Sequence, residues 1–210
     1  MHVENTFIDV AKIEAQLTIG KKASRDRIEE IFAHARQKKG LAPDEVANLI
    51  GLEDPELLQE MFTLAREIKE EIYGRRIVLF APLYVSNLCS NECVYCGFRA
   101  SNKAEDRHAL STEELKQEVE ALEKVGHKRV LMVFGEHPRF GANYMAEMVR
   151  AAYEVKTPDG KGEIRRINVN AAPLEVPDYK IVKESGIGTF QIFQETYHPG
   201  RYAELHLKGK

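Results

Sequence analysis

Apolar residues recur with two different periods along this chain. Through residue 75 they fall three or four positions apart, the spacing of helices that bury one face. Residues 9–19 predict a short helix. Residues 24–39 set Ile28, Ile31, Phe32 and Ala35 on one face, and Gly40 stops that helix. Residues 43–50 predict a brief helix ending at Gly51. Asp54-Pro55 is an N-cap followed by proline at the first helical position. The helix it opens carries Leu58, Met61, Ala65, Ile68 and Ile72 as its stripe and ends at Gly74.

From residue 76 the pattern switches to short continuous apolar runs separated by helical stretches. Ile77-Val78-Leu79-Phe80 predicts a strand buried on both faces. Ser111-Thr112-Glu113-Glu114 is a capping box opening a helix to about residue 125. Residues 130–134 predict a second buried strand that ends at Gly135-Glu136. A helix over 143–155 follows, then a Pro158-Asp159-Gly160 turn and a third strand over 164–170. Residues 178–184 predict a helix, residues 188–194 a fourth strand, and His198-Pro199 the start of another helix. Strands alternating with helices across short connections predict parallel βα units. The expected fold class is α/β: a partial (βα) barrel of TIM type with about four parallel units, preceded by an N-terminal helical segment. The expected boundary divides residues 1–75 from 76–210.

Composition narrows the function classes. The chain has 210 residues, 43% of them hydrophobic, enough for a packed core. The net charge is −3, and the basic residues come as scattered doublets such as Arg75/Arg76 and Arg165/Arg166. Nucleic acid is therefore not an expected partner. Nor is a membrane, because no apolar run is long enough to span one. The first residues lack a basic start with an apolar block behind it, so the expected compartment is the cytoplasm. Thiols stay reduced there, and clustered cysteines point to metal rather than disulfide.

The only three cysteines, Cys89, Cys93 and Cys96, form a C-x3-C-x2-C cluster. Three thiolates leave a four-coordinate zinc site incomplete, but they can hold three irons of a 4Fe–4S cube and leave the fourth open. The loop follows the first strand, and in barrels of this kind the C-terminal strand ends carry the chemistry. An open iron there can chelate the amine and carboxylate of an amino-acid-like ligand. The amino-acid portion of S-adenosylmethionine fits that description. The alternative is a structural zinc site with His108, twelve residues after Cys96, as fourth ligand.

Cys89, Cys93, Tyr95 and Cys96 resemble the radical S-adenosylmethionine signature. The words around it, Ala81-Pro82-Leu83-Tyr84-Val85-Ser86-Asn87 and Cys96-Gly97-Phe98-Arg99, resemble the tyrosine lyases of that superfamily. So does the stretch Ile187-Gly188-Thr189-Phe190-Gln191-Ile192-Phe193-Gln194-Glu195-Thr196-Tyr197-His198. Two branches are similar: one matures FeFe-hydrogenase, the other makes 2-iminoacetate for the thiazole of thiamine. The segments 67–74 and 164–170 lean toward the hydrogenase branch.

The resemblance implies a lyase. A 4Fe–4S cluster cleaves S-adenosylmethionine reductively, and the 5′-deoxyadenosyl radical attacks L-tyrosine, whose Cα–Cβ bond breaks to give p-cresol and 2-iminoacetate (dehydroglycine). In the hydrogenase branch carbon monoxide and cyanide follow. The implied partners are L-tyrosine, an external electron donor of flavodoxin or ferredoxin type, and hydrogenase maturation proteins. Cys89, Cys93 and Cys96 would bind the cluster, and Tyr95 would lie near the adenine or simply pack beside the cluster. Gly135 and Glu136 stand where the superfamily places a Gly-Gly-Glu type motif, although Phe134 replaces its first glycine. Asn168 and Asn170 alternate with Ile167 and Val169, and can face a polar ligand or form a structural amide ladder. Gln194 and Glu195, expected to end the fourth strand, are candidates for ribose, amino-group or substrate contacts, unless the carboxylate only caps the next helix. His34, His127 and His206 are assigned no role. No cysteine follows Cys96, and four units make about half a barrel, so the chain is expected to be the N-terminal portion of such an enzyme.

Overall fold

The computed structural model describes residues 8–156 and 162–209, so the expected turn at 158–160 lies outside the described residues. Two compact units divide the chain, Met1–Ile77 and Val78–Lys210.

Among its described residues the first unit holds four helices: α1 (Val10–Gly20), α2 (Arg25–Ala35), α3 (Pro43–Ile50) and α4 (Pro55–Tyr73). Asp54 caps α4, its Oδ1 accepting from the Glu56 and Leu57 N–H groups at 2.9 and 3.3 Å. Gly74 ends α4 at φ 63°, a left-handed conformation that glycine adopts without strain. Ile28, Ile31 and Phe32 of α2 are buried against Leu57 and Leu64 of α4. The buried stripe of α4 keeps Met61 and Ile68 of the expected set but takes Leu57 and Leu64 in place of Leu58 and Ala65, while Ile72 is exposed. Both stripes have helical spacing, and packing against α2 selects between them.

The second unit is a four-stranded parallel sheet in the order β1-β2-β3-β4, with β1 at Ala81–Ser86, β2 at Arg129–Phe134, β3 at Arg166–Asn170 and β4 at Thr189–Gln191. Helices α5 (Thr112–Lys124), α6 (Ala142–Glu154) and α7 (Val176–Glu184) form the crossovers, and α8 (Pro199–Leu205) follows β4. The capping box of α5 is reciprocal, Ser111 Oγ accepting from the Glu114 N–H at 3.3 Å and Glu114 Oε2 from the Ser111 N–H at 2.7 Å. The α/β partial-barrel expectation is met.

Two strands depart from expectation. The first is not Ile77–Phe80, whose side chains are 53–82% exposed, but the next segment, Ala81–Ser86. Ala81, Leu83 and Val85 alternate inward there, and Pro82, which cannot donate to a ladder, is tolerated because β1 is an edge. Val78 and Phe80 instead line a small crevice with Leu131, Asn168 and Gln191. The fourth strand stops at Gln191, so Gln194 and Glu195 lie in the connection to α8 rather than on the strand.

One face of the sheet carries the core. Val85, Met132, Ile167 and Val169 are fully buried with Leu115 and Val119 of α5, Val149 of α6 and Val182 of α7. Tyr153 of α6 pins this layer, accepting from the Ile167 N–H at 2.9 Å and donating to the Gly186 carbonyl at 3.1 Å. The opposite face is half-exposed and bears Tyr84, Val133, Asn170 and Gln191 side by side in register. Strand β2 is therefore fully buried on one face only. Among the described residues no helix is long and apolar enough to cross a membrane.

Glu123 on α5 is a buried exception. It is 4% exposed, and neither carboxylate oxygen has a hydrogen-bond partner of normal geometry among the described residues. Burial pushes its carboxyl above the ordinary range, opposed in part by the Ile164 N–H, Lys128 and Lys156. The folded state thus holds this proton more tightly than the unfolded chain. Stability contributed by the protonated form is present below about pH 4.3, and is lost as pH rises through the raised folded value. Glu123→Met is expected to raise the melting temperature by about 2 °C or more near neutral pH, with a smaller gain in acid, read by thermal unfolding across pH.

Candidate functional site

The cysteine loop leaves the end of β1 and is held from beneath by the end of β2. The Gly135 N–H donates to the Ser86 carbonyl at 2.7 Å. A Cβ on Gly135 would stand 2.3 Å from the Leu88 carbonyl oxygen and 3.2 Å from Cys89 Cβ, so a bare backbone is needed where β2 passes under the loop. Gly135 therefore serves this close approach. Glu136 continues the support: its carbonyl accepts from the Ser90 N–H at 2.8 Å and the Ser90 hydroxyl at 3.1 Å, and its Oε2 accepts from Asn91 Nδ2 at 2.6 Å. Within the loop, the Cys96 N–H donates to the Cys93 carbonyl at 3.0 Å and the Ala100 N–H to the Asn91 carbonyl at 2.9 Å.

A strap from the far end of the chain crosses the loop. Cys93 and His206 form an antiparallel bridge, flanked by Glu92 N–H to Lys208 carbonyl at 2.9 Å and Val94 N–H to Leu205 carbonyl at 3.0 Å. His206 Nδ1 lies 3.1 Å from the Tyr202 carbonyl and must donate to it, which leaves Nε2 as an acceptor for the Tyr95 hydroxyl at 2.8 Å. The Tyr202 ring stacks on the imidazole at 4.0 Å. His206 is thus a site residue that the sequence reading left without a role. Its distance of 111 positions from Tyr95 gave no local signal.

The three thiols are free and half-buried. Burial raises the Cys93 thiol above its usual range, and negative charge on Cys96, Cys89 and Glu195 raises it further, while the Tyr95 hydroxyl opposes this. Burial raises the Tyr95 hydroxyl as well, with Cys93 and Glu195 adding to it. Several potential anions thus crowd one loop, and soft thiolates so arranged suit a polynuclear iron–sulfur group. Among the described residues no three His, Cys, Asp or Glu side chains converge as ligands of a single ion would. His108, the alternative zinc ligand, instead meets Glu114 Oε2 at 3.3 Å at the start of α5.

The other expected residues scatter around this centre. Gly135 and Glu136 line a cleft of about 450 Å³ with Ser90, Asn91, Leu174 and Asp178, at the C-terminal ends of β2 and β3. Asn168 and Asn170 lie on the face away from the helices. Asn170 Nδ2 donates to the Gln191 carbonyl at 3.0 Å and Asn168 Oδ1 accepts from Arg166 Nε at 3.3 Å, so part of each amide serves the sheet. Gln194 Nε2 donates to the Thr196 carbonyl at 2.9 Å. His198, not Glu195, caps α8, leaving the Glu195 carboxylate exposed within electrostatic reach of Cys93 and Tyr95.

Residues 83–208 match the model of the Radical SAM superfamily, a span that holds the cysteine loop, most of β1 and all of β2, β3 and β4. The chain belongs to the radical SAM superfamily. A crystal structure of HydG, a maturase of the FeFe-hydrogenase, superposes with a TM-score of 0.90 at 48% identity, over 97% of this chain and 45% of that one. HydG from Carboxydothermus hydrogenoformans gives 0.78 at 41% identity, over 95% of this chain and 46% of that one. The 2-iminoacetate synthase of Salmonella typhimurium is 31% identical over 171 residues, 81% of this chain and 43% of that protein. The radical SAM chain thus spans less than half the length of each of these relatives.

Proposed function

We propose that this chain carries the S-adenosylmethionine-cleaving part of a radical tyrosine lyase acting in FeFe-hydrogenase maturation. The observation that carries the reading is the cysteine loop in a chain that is 48% identical to HydG over 97% of its length. The 31% identity to 2-iminoacetate synthase supports the tyrosine step without favouring the thiazole branch. When bound, a 4Fe–4S cluster supplies the electron that splits S-adenosylmethionine into methionine and a 5′-deoxyadenosyl radical able to take hydrogen from L-tyrosine.

In this reading Cys89, Cys93 and Cys96 hold the cluster, and residues 76–210 are the core that presents it. Tyr95 lies beside the cluster with its hydroxyl fixed by His206, offering a ring edge to the nucleoside. The cleft at Gly135 and Glu136 takes the methionine end of the ligand. Asn168 and Asn170 present their remaining amide groups to polar parts of ligand or substrate from the open sheet face, and Gln194 and Glu195 close the site from the connection to α8. The products are p-cresol and 2-iminoacetate, with carbon monoxide and cyanide formed downstream in the maturation sequence. A flavodoxin- or ferredoxin-type donor supplies the electron in the cytoplasm, and hydrogenase maturation proteins receive the products.

The test is anaerobic reconstitution of the chain with iron and sulfide, followed by incubation with S-adenosylmethionine, L-tyrosine and a strong reductant. The expected result is 5′-deoxyadenosine and p-cresol in comparable amounts. Deoxyadenosine without p-cresol removes tyrosine from the account, and neither product removes the activity from this chain.

A further inference from the structure

One side chain closes the cysteine loop at its base. Arg107 Nη1 donates to the carbonyls of Asn87 at 2.7 Å and Phe98 at 2.9 Å. Its Nη2 donates to the carbonyls of Arg99 at 2.6 Å and Asn102 at 2.9 Å. Asn87 immediately precedes the loop, whereas Phe98, Arg99 and Asn102 follow its last cysteine. A single guanidinium therefore ties the entrance of the loop to its exit. All four acceptors are main-chain carbonyls, so the grip fixes the path of the backbone itself.

Arg107 is in turn held by the residue it grips. Asn87 Nδ2 donates to the Asp106 carbonyl at 2.6 Å, and Asn87 Oδ1 accepts from the His108 N–H at 2.8 Å. The Asn87 N–H donates to the His108 carbonyl at 3.1 Å, and Ser86 bridges Ala109 in antiparallel fashion. Both chain neighbours of Arg107 are anchored to the end of β1, which aims its side chain into the loop.

We propose that Arg107 is a positioning residue for the iron–sulfur cluster, holding the ends of the cysteine loop together and keeping a fixed positive charge at its base. This rests on the cluster reading above. Three thiols on a free loop must be ordered before they can meet one cube, and a loop already closed loses less freedom on binding. The planar fork of arginine can serve two pairs of carbonyls at once. A lysine ammonium carries the charge on a flexible stem with three donors and cannot hold all four. The positive guanidinium favours the more negative, reduced form of a cluster held by the loop.

The experiment compares the full chain with Arg107→Met and Arg107→Lys, and uses Arg27→Met in α2 as a control for losing an arginine. Hydrogen exchange is measured first on the metal-free proteins. The Cys96, Arg99 and Ala100 amides are expected to exchange about 10-fold faster or more in both Arg107 variants, with β2 and β3 protected as in the parent. After anaerobic reconstitution Arg107→Met is expected to bind about 10-fold less iron and sulfide under limiting metal. The fraction that loads is expected to show a more negative midpoint potential by redox titration, a shift that loop disorder alone does not fix in sign. The Arg27→Met control is expected to match the parent throughout. Unchanged loop exchange in both Arg107 variants overturns the closing role, and an unchanged midpoint in Arg107→Met overturns the charge role. If the parent chain takes up no cluster, the cluster reading fails, while exchange on the metal-free proteins still decides whether Arg107 closes the loop.

Discussion

Cys93→Ser is expected to abolish cluster binding, lowering iron and sulfide after reconstitution by at least about 100-fold and bringing 5′-deoxyadenosine to background. Loss of an outer-shell partner already costs about 10–100-fold in metal affinity, and loss of a ligand costs more. Cys93 sits at the centre of the site. Its thiol feels the charges of Cys89, Cys96 and Glu195 together, and its backbone carries the bridge to His206. Serine keeps the size of the side chain but supplies a hard, protonated oxygen where a soft thiolate is required. The backbone bonds of the loop do not pass through the sulfur, so circular dichroism and melting temperature are expected to stay close to the parent. The check is iron and sulfide analysis of parent and variant prepared side by side. A Cys93→Ser protein with the parent's iron content would contradict the assignment of this thiol.

Gly135→Ala is the second large effect, and it reaches the cluster without touching a ligand. The added methyl would stand 2.3 Å from the Leu88 carbonyl oxygen and 2.9 Å from its carbon. Both are backbone atoms, so no side chain can swing aside. Either the end of β2 or the base of the cysteine loop must shift, at a cost of about 1–3 kcal/mol. The loop is the softer partner, because β2 is paired on both sides and anchored in the core by its own buried Val130, Met132 and Phe134. Cys89, whose Cβ is 3.2 Å from the same methyl, is displaced with it. The expected result is a folded protein whose cluster loading falls about 10-fold or more, read by iron content together with hydrogen exchange at residues 88–90. Parent-like loading with parent-like exchange would show that the close approach is not needed.

Much of the fold was legible because its signals were local. The capping box at Ser111 and Glu114, the Asp54-Pro55 start of α4 and the alternation of Ile167 and Val169 with two asparagines each declare one element. The misplacement of β1 has a physical cause. A continuous apolar run at 77–80 looks more like a strand than a segment containing Pro82, yet an edge strand needs only alternate inward residues and can spare one donor. Likewise, either stripe of α4 is legible, and only contact with α2 chooses between them. At the site, the cysteine spacing was readable while its scaffolding was not. His206 meets Tyr95 across 111 positions. Arg107 acts on carbonyls that every residue has, so no sequence pattern marks its partners. The close approach of Gly135 to the Leu88 carbonyl joins positions 47 residues apart, so no local pattern marks it.

The proposed function stands on three thiolates that would hold a cube with one iron left open for S-adenosylmethionine. Electron paramagnetic resonance of the reconstituted, reduced chain, recorded before and after adding S-adenosylmethionine, tests it most directly. The expected result is the signal of a reduced 4Fe–4S cluster whose g values move when the ligand is added, and no such signal from Cys93→Ser. A reduced-cluster signal that ignores S-adenosylmethionine, or a purified chain that carries zinc and gives no such signal, would contradict it.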